Sequence, residues 1–172
     1  MTISVVATPA QLSWSDFRPT GALPDGSGEE AQTSTEMPAM DNIKVVAIQR
    51  KYSLPDLKLM VGLKRSETLV VTSARKTADL LKHEQGHFDI TVLTIRALAM
   101  ELQRLKAPSA ASLGQQVEAL RQKHQRFADA IEKRYDDETD HSRNKAVQDK
   151  WNQAIRSAML SPGVVSLQGM PL

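Results

Sequence analysis

The 172-residue chain sets 22 Lys and Arg against 20 Asp and Glu for a net charge of +2, is 41% hydrophobic, and has no cysteine. This is enough apolar material for one core and a single domain. Basic residues are not clustered and aromatics make up only 4%, which argues against nucleic acid as a partner. No apolar run approaches the roughly 18 residues of a membrane span. Without thiolates or disulfides, any metal has to be held by His, Asp or Glu.

In chain order, Met1 to Ala10 has neither a basic start nor a long apolar centre and does not read as a secretory signal. A cytoplasmic protein and one whose leader has been removed both fit. Residues 1–17 read as an N-terminal extended segment, with Trp14 and Phe17 as core anchors. Residues 18–42, rich in Gly, Pro, Ser, Thr and acidic side chains, read as a long flexible loop. Loops of that length are usually functional or disordered, so a flap over a cleft and simple disorder are both open.

Residues 43–160 read as the main domain. Ile43 to Tyr52 and Leu57 to Leu63 are rich in Val, Ile and Leu, and Ser53-Leu54-Pro55-Asp56 between them predicts a β-hairpin turn. Thr68 to Thr72 is a candidate third strand. A small sheet of this kind is either purely structural or offers an edge to an extended peptide. Arg75 to Lys106, free of proline, predicts one long helix. Its stripe of Leu81, Phe88, Val92, Ile95, Ala99 and Leu102 recurs at helical spacing.

That helix carries His83-Glu84-Gln85-Gly86-His87. Residues four apart share a face, with Cβ atoms about 6 Å apart, so both imidazoles can converge on one zinc ion at about 2.0 to 2.1 Å. Glu84, turned about 100° further round the helix, can reach a water there as general base. A chance match in a chain this long is on the order of one in a hundred or less. Gly86 costs roughly 1 kcal/mol relative to Ala in mid-helix, tolerable where a backbone or substrate comes close.

Pro108 and Ser109 break the helix, and a second begins near Ser112. Leu113, Val117, Leu120, His124, Phe127, Ile131 and Tyr135 form its inward seam. A turn centred near Pro108 sets His124 opposite Leu93, about 12 Å up the axis at 1.5 Å per residue. His124 therefore reads as a core histidine bonded to Thr91 or Thr94. The same register returns Tyr135 to His141 to the level of the motif, making His141 the expected third ligand. The acidic run Asp136 to Asp140 can supply a carboxylate to an imidazole or cap a third helix through Thr139 or Asp140. Glu138 is the alternative third ligand, and Glu138 or Asp137 closing a four-residue shell would mark a structural ion. Tyr135 is either an oxyanion donor or the last core residue of helix two. The third helix runs to about Met159 on a face of Val147, Trp151, Ile155 and Met159. Ser161-Pro162-Gly163 ends it, and 161–172 reads as an extended tail.

His-Glu-Gln-Gly-His-Phe-Asp-Ile at 83–90, followed by Tyr135-Asp136-x-x-Thr139-x-His141, resembles the family called domain of unknown function 922. Leu12-Ser13-Trp14-Ser15-Asp16-Phe17 resembles that family's opening segment, so the likeness spans about residues 12 to 155. The family's second motif usually continues with Gly, where this chain has Ser142. The resemblance implies a bacterial zinc-dependent peptidase, periplasmic or secreted, acting on a peptide or protein. The reading is an α+β fold, a small antiparallel sheet on a unit of three helices, zincin-like. Zn2+ would sit on His83, His87 and His141, with Glu84 and Tyr135 as catalytic groups. The competing reading is a non-catalytic zinc-binding or protein-interaction module.

Overall fold

The computed structural model describes residues 2–24, 26, 28–36, 45–48 and 51–172. The fold is α+β: short strands in small sheets packed on three helices, α1 (Ala78–Leu102), α2 (Ala110–Thr139) and α3 (Lys145–Leu160). Each helix starts on a side-chain cap. Thr77 accepts from the Leu80 amide at 3.1 Å, Ser109 from Ser112 at 3.1 Å and Asn144 from Val147 at 3.4 Å. Asn144, rather than Thr139 or Asp140, thus starts α3.

The two three-stranded sheets are mixed, not antiparallel. Strand β1 (Ile3–Thr8) runs parallel to β7 (Leu57–Leu63), Ile3 opposite Leu57 through Thr8 opposite Gly62. On its other edge β7 pairs antiparallel with β4 (Thr35–Glu36). A second sheet sets β8 (Leu69–Val71) between β2 (Arg18–Thr20), parallel, and β3 (Ala31–Gln32), antiparallel. The expected hairpin between Ile43–Tyr52 and Leu57–Leu63 is therefore not formed. Strands β5 (Val46–Ile48) and β6 (Lys51–Ser53) pair only with each other, while Ile43, Lys44, Gln49 and Arg50 lie outside the described residues. Tyr52 instead exchanges both backbone hydrogen bonds with Ala107 at 2.8 and 2.9 Å. Parallel pairing with β1 buries Ile3 beside Leu59 and Val61 against α1. The segment read as one loop, 18–42, contributes β2, β3 and β4.

Helix α1 lies at the centre, apolar on two faces. Phe88, Val92, Ile95, Ala99 and Leu102 pack towards the sheets, as the stripe predicts. Ile90, Leu93 and Ala97 pack the opposite way, against Ile131 and Tyr135 of α2 and Trp151 and Ile155 of α3. The tail joins this second core: β9 (Ser166–Leu167) and β10 (Met170–Pro171) pair antiparallel, and Leu167 and Leu172 are buried.

His124 is buried as expected, but its Nε2 lies 3.2 Å from Glu101 Oε1, not beside Thr91 or Thr94. The connection 103–109 carries the chain past the end of α1 before α2 turns back. The start of α2 therefore overhangs, and His124, Glu132 and Asp136 meet α1 nearer its C-terminal end than equal rise predicts. Burial pulls the His124 pKa below its ordinary value; the Glu101 carboxylate opposes this, and Lys123 adds to it. A histidine depressed in the fold stays neutral there while the unfolded imidazole takes a proton. Its contribution is therefore complete above about pH 6.5 and is lost as pH falls through that value. Denaturant unfolding should show wild type losing more stability than His124→Leu between about pH 7.5 and 5; parallel losses would remove His124 as the cause.

Candidate metal centre

Helical spacing puts His83 and His87 on one face of α1, and α2 presents Asp136 to them. His87 Nε2 lies 3.3 Å from His83 Nε2 and 2.9 Å from Asp136 Oδ1, and His83 Nε2 is 3.2 Å from the same oxygen. An ion with tetrahedral bonds of about 2.0 to 2.1 Å has ligand atoms about 3.3 Å apart. The three atoms thus have the spacing of one face of such a tetrahedron.

His141 stands at the rim. Its Nδ1 is 3.9 Å from Asp136 Oδ1 and 2.9 Å from Glu29 Oε1. His83, Asp136 and His141 also form a group whose ligand atoms all lie within 4.8 Å of one another and could hold a metal ion. Both triads share His83 and Asp136. The first is tighter, and Asp136 is the residue the sequence reading did not name as a ligand. Asp136 Oδ1 and His141 Nδ1 are buried atoms that make no hydrogen bond of good geometry, although imidazole nitrogens crowd the carboxylate. Such convergence without directional hydrogen bonds suits a shared cation.

The alternatives point elsewhere. Glu138 accepts from Arg134 Nε at 2.7 Å and from the Trp151 indole at 2.8 Å, and Asp137 pairs with Lys133 at 2.7 Å. Both are committed outside the cluster. Glu84, only 2% exposed, accepts from the Thr33 hydroxyl at 2.7 Å. Glu84 lines a small cleft with His83, His141, Ser142, Glu29 and Ala31. The stretch from Glu29 to Thr35 therefore lies over the motif, with Thr35 bonded to Thr91 at 3.1 Å.

Electrostatics follow the packing. Burial would lower the His87 pKa, but the Asp136 carboxylate 2.9 Å away, with Glu84 and Glu132 behind it, raises it to about 9. Burial likewise pushes Asp136 up, and His83 and His87 outweigh it, holding the carboxyl well below its usual range. Glu132 is raised by burial, partly offset by His87 and a hydrogen bond from Thr91.

Tyr135 is fully buried, and its hydroxyl donates to the His83 carbonyl at 3.1 Å. That proton is already used, so the core role, not the oxyanion role, fits Tyr135. Its ring stacks on His83 with centroids 4.7 Å apart. This contact explains Gly86: a Cβ there would sit 2.2 Å from the Tyr135 hydroxyl oxygen. Past α2, Asp140, His141 and Ser142 all take positive φ, 48°, 49° and 76°. This left-handed turn brings His141 back beside Asp136.

The chain belongs to the family described as Bacterial protein of unknown function (DUF922), whose pattern matches residues 43–142, more than half of its length. That stretch holds His83, Glu84, His87, Asp136 and His141, while Glu29, Thr33 and Gln148 fall outside it. No curated protein and no solved structure matches the chain. No helix among the described residues is long and apolar enough to cross a membrane.

Replacing a mid-helix glycine normally stabilises by about 1 kcal/mol, but overpacking costs about 1 to 3 kcal/mol. Gly86→Ala should therefore lower the midpoint of thermal unfolding. A raised midpoint would mean that Tyr135 can move aside freely.

Proposed function

We propose that this protein is a zinc-dependent peptidase, zincin-like in placing its metal motif on a long central helix, with His83, His87 and Asp136 as the ligands. The observation that carries the reading is the triangle of two imidazole nitrogens and one carboxylate oxygen at 2.9 to 3.3 Å, with Glu84 next in sequence to the first histidine. Zinc, when bound, supplies an acidified water, with pKa near 7, and a polarised carbonyl. Glu84 then takes the proton of the attacking water as its oxygen bonds to the peptide carbon. The same proton passes to the amide nitrogen as the carbon–nitrogen bond breaks, releasing an amine and a carboxylic acid. Burial keeps the Glu84 carboxylate from bulk water, and the Thr33 hydroxyl holds it in place. His141 replaces His87 in the second triad, so the two ligand sets are separable by mutating His87 and His141. The family resemblance favours an exported protein acting on peptides.

Zinc uptake displaces the proton that His87 holds in the metal-free protein, so binding should release about one proton near neutral pH and weaken on acidification below about pH 9. Zinc titrations should show Asp136→Ala losing affinity severely and His141→Ala retaining most of it. The reverse order would return the third ligand to His141. Glu84→Gln should keep zinc stoichiometry while cleavage of an unstructured protein falls about a hundredfold or more. Undiminished cleavage would remove Glu84 from the mechanism, and zinc binding with no cleavage in wild type would leave a metal-binding module.

A further inference from the structure

We infer that Gln148, on α3, is a positioning residue that fixes the tautomer of His83 through a closed ring of hydrogen bonds. Gln148 is buried, at 3% exposed, in the middle of three helices. Its side-chain nitrogen donates to the Tyr135 hydroxyl at 2.6 Å and to Asn152 Oδ1 at 2.9 Å. With both amide protons so used, its oxygen is left as an acceptor, and it lies 3.0 Å from His83 Nδ1. The Tyr135 hydroxyl, accepting from Gln148, donates to the His83 backbone carbonyl at 3.1 Å. The ring thus leaves His83 at its carbonyl, passes through Tyr135 and Gln148, and returns at its imidazole.

Every bond in that ring has one direction. Tyr135 has a single proton, and the His83 carbonyl can only accept, so Tyr135 must accept from Gln148. Gln148 must therefore turn its carbonyl to His83, and His83 must carry its proton on Nδ1. In the neutral imidazole Nε2 is then left with a lone pair, facing the acceptor Asp136 Oδ1 at 3.2 Å and His87 Nε2 at 3.3 Å, a cluster that a shared cation would satisfy. Reversing the amide would put a proton on Nε2, in the middle of the candidate ligand cluster. An amide is a neutral partner, so it orients the imidazole without adding charge to a cluster that already holds Asp136, Glu84 and Glu132. Gly86 belongs to the device, since a Cβ there would collide with the Tyr135 hydroxyl.

The inference rests on His83 as a metal ligand, yet its test needs no metal. In 15N-labelled, metal-free protein at alkaline pH, His83 should show a protonated Nδ1 and an unprotonated Nε2. Gln148→Leu should lose that signature and bind zinc about 10- to 100-fold more weakly. Gln148→Glu, which keeps the acceptor, should retain the Nδ1–H form and stay within a few-fold of wild-type affinity. Wild-type His83 protonated on Nε2 overturns the inference without any variant, and so does a Gln148→Leu protein that keeps both the tautomer and the affinity. The expected tautomer in a protein that binds no zinc would sink the metal reading and leave the ring standing.

Discussion

The contact between the Tyr135 hydroxyl and the backbone of α1 sets the geometry of everything around it. A buried phenol costs several kcal/mol unless its oxygen and proton are paired. Here pairing requires the ring to approach the turn that carries His83, and only a residue without Cβ leaves room at Gly86. The cost of glycine in mid-helix is thereby offset by a satisfied hydroxyl and a fixed distance between α1 and α2. Because Asp136 follows Tyr135 directly, the same contact sets where its carboxylate meets His83 and His87. Gln148 then ties α3 to the pair, so three helices converge on one imidazole.

A helix buried on two faces can carry such a cluster only because the remaining polar groups are paired. Glu84 is bonded to Thr33, Thr91 to Thr35 and Glu132, and Gln85 spans from the Leu12 amide to Asp89. Several of these partners come from the strands and turns between Glu29 and Thr35. Those residues are anchored in two different sheets, β3 beside β8 and β4 beside β7, so the cover over Glu84 is part of the sheet architecture. Two imidazoles and three carboxylates in one interior are a poor design for stability alone. Perturbed titration at such a place is characteristic of functional sites.

The helices were legible in the sequence because their information is local. The apolar stripe of α1, the seam of α2 and the face of α3 recur at helical spacing, and caps lie within three residues of the ends. Pairing of β1 with β7 was not legible: the strands are more than fifty residues apart, and parallel pairing leaves no turn signal between them. Pro55 read as a hairpin turn, but the amide and carbonyl of Tyr52 went to Ala107 instead. Counting rise from Pro108 failed for a related reason, since 103–109 is not helix and shifts the register. The shift sends His124 to Glu101, while Asp136, inside the Tyr135–His141 segment expected at the motif, still reaches His83 and His87. His83, Glu84 and His87 were visible from spacing alone, while Gln148 left no signal because its role depends on where α3 docks.

The turn after α2 shows where the fold accepts strain. Left-handed backbone costs a residue with a Cβ roughly 1 to 2 kcal/mol, and three such residues, Asp140, His141 and Ser142, occur in succession. The His141 amide bonds back to the Asp136 carbonyl at 3.2 Å and the Asn144 amide to Thr139 at 2.8 Å, so the reversal is tight and α3 begins at once. Ser142 takes the most positive φ of the three, where a residue without Cβ would relieve the strain. A relaxed turn would need more residues and would carry His141 away from Asp136 and Glu29. Strain held in place by surrounding hydrogen bonds is what the fold accepts here in exchange for geometry, His141 set beside Asp136 and Glu29.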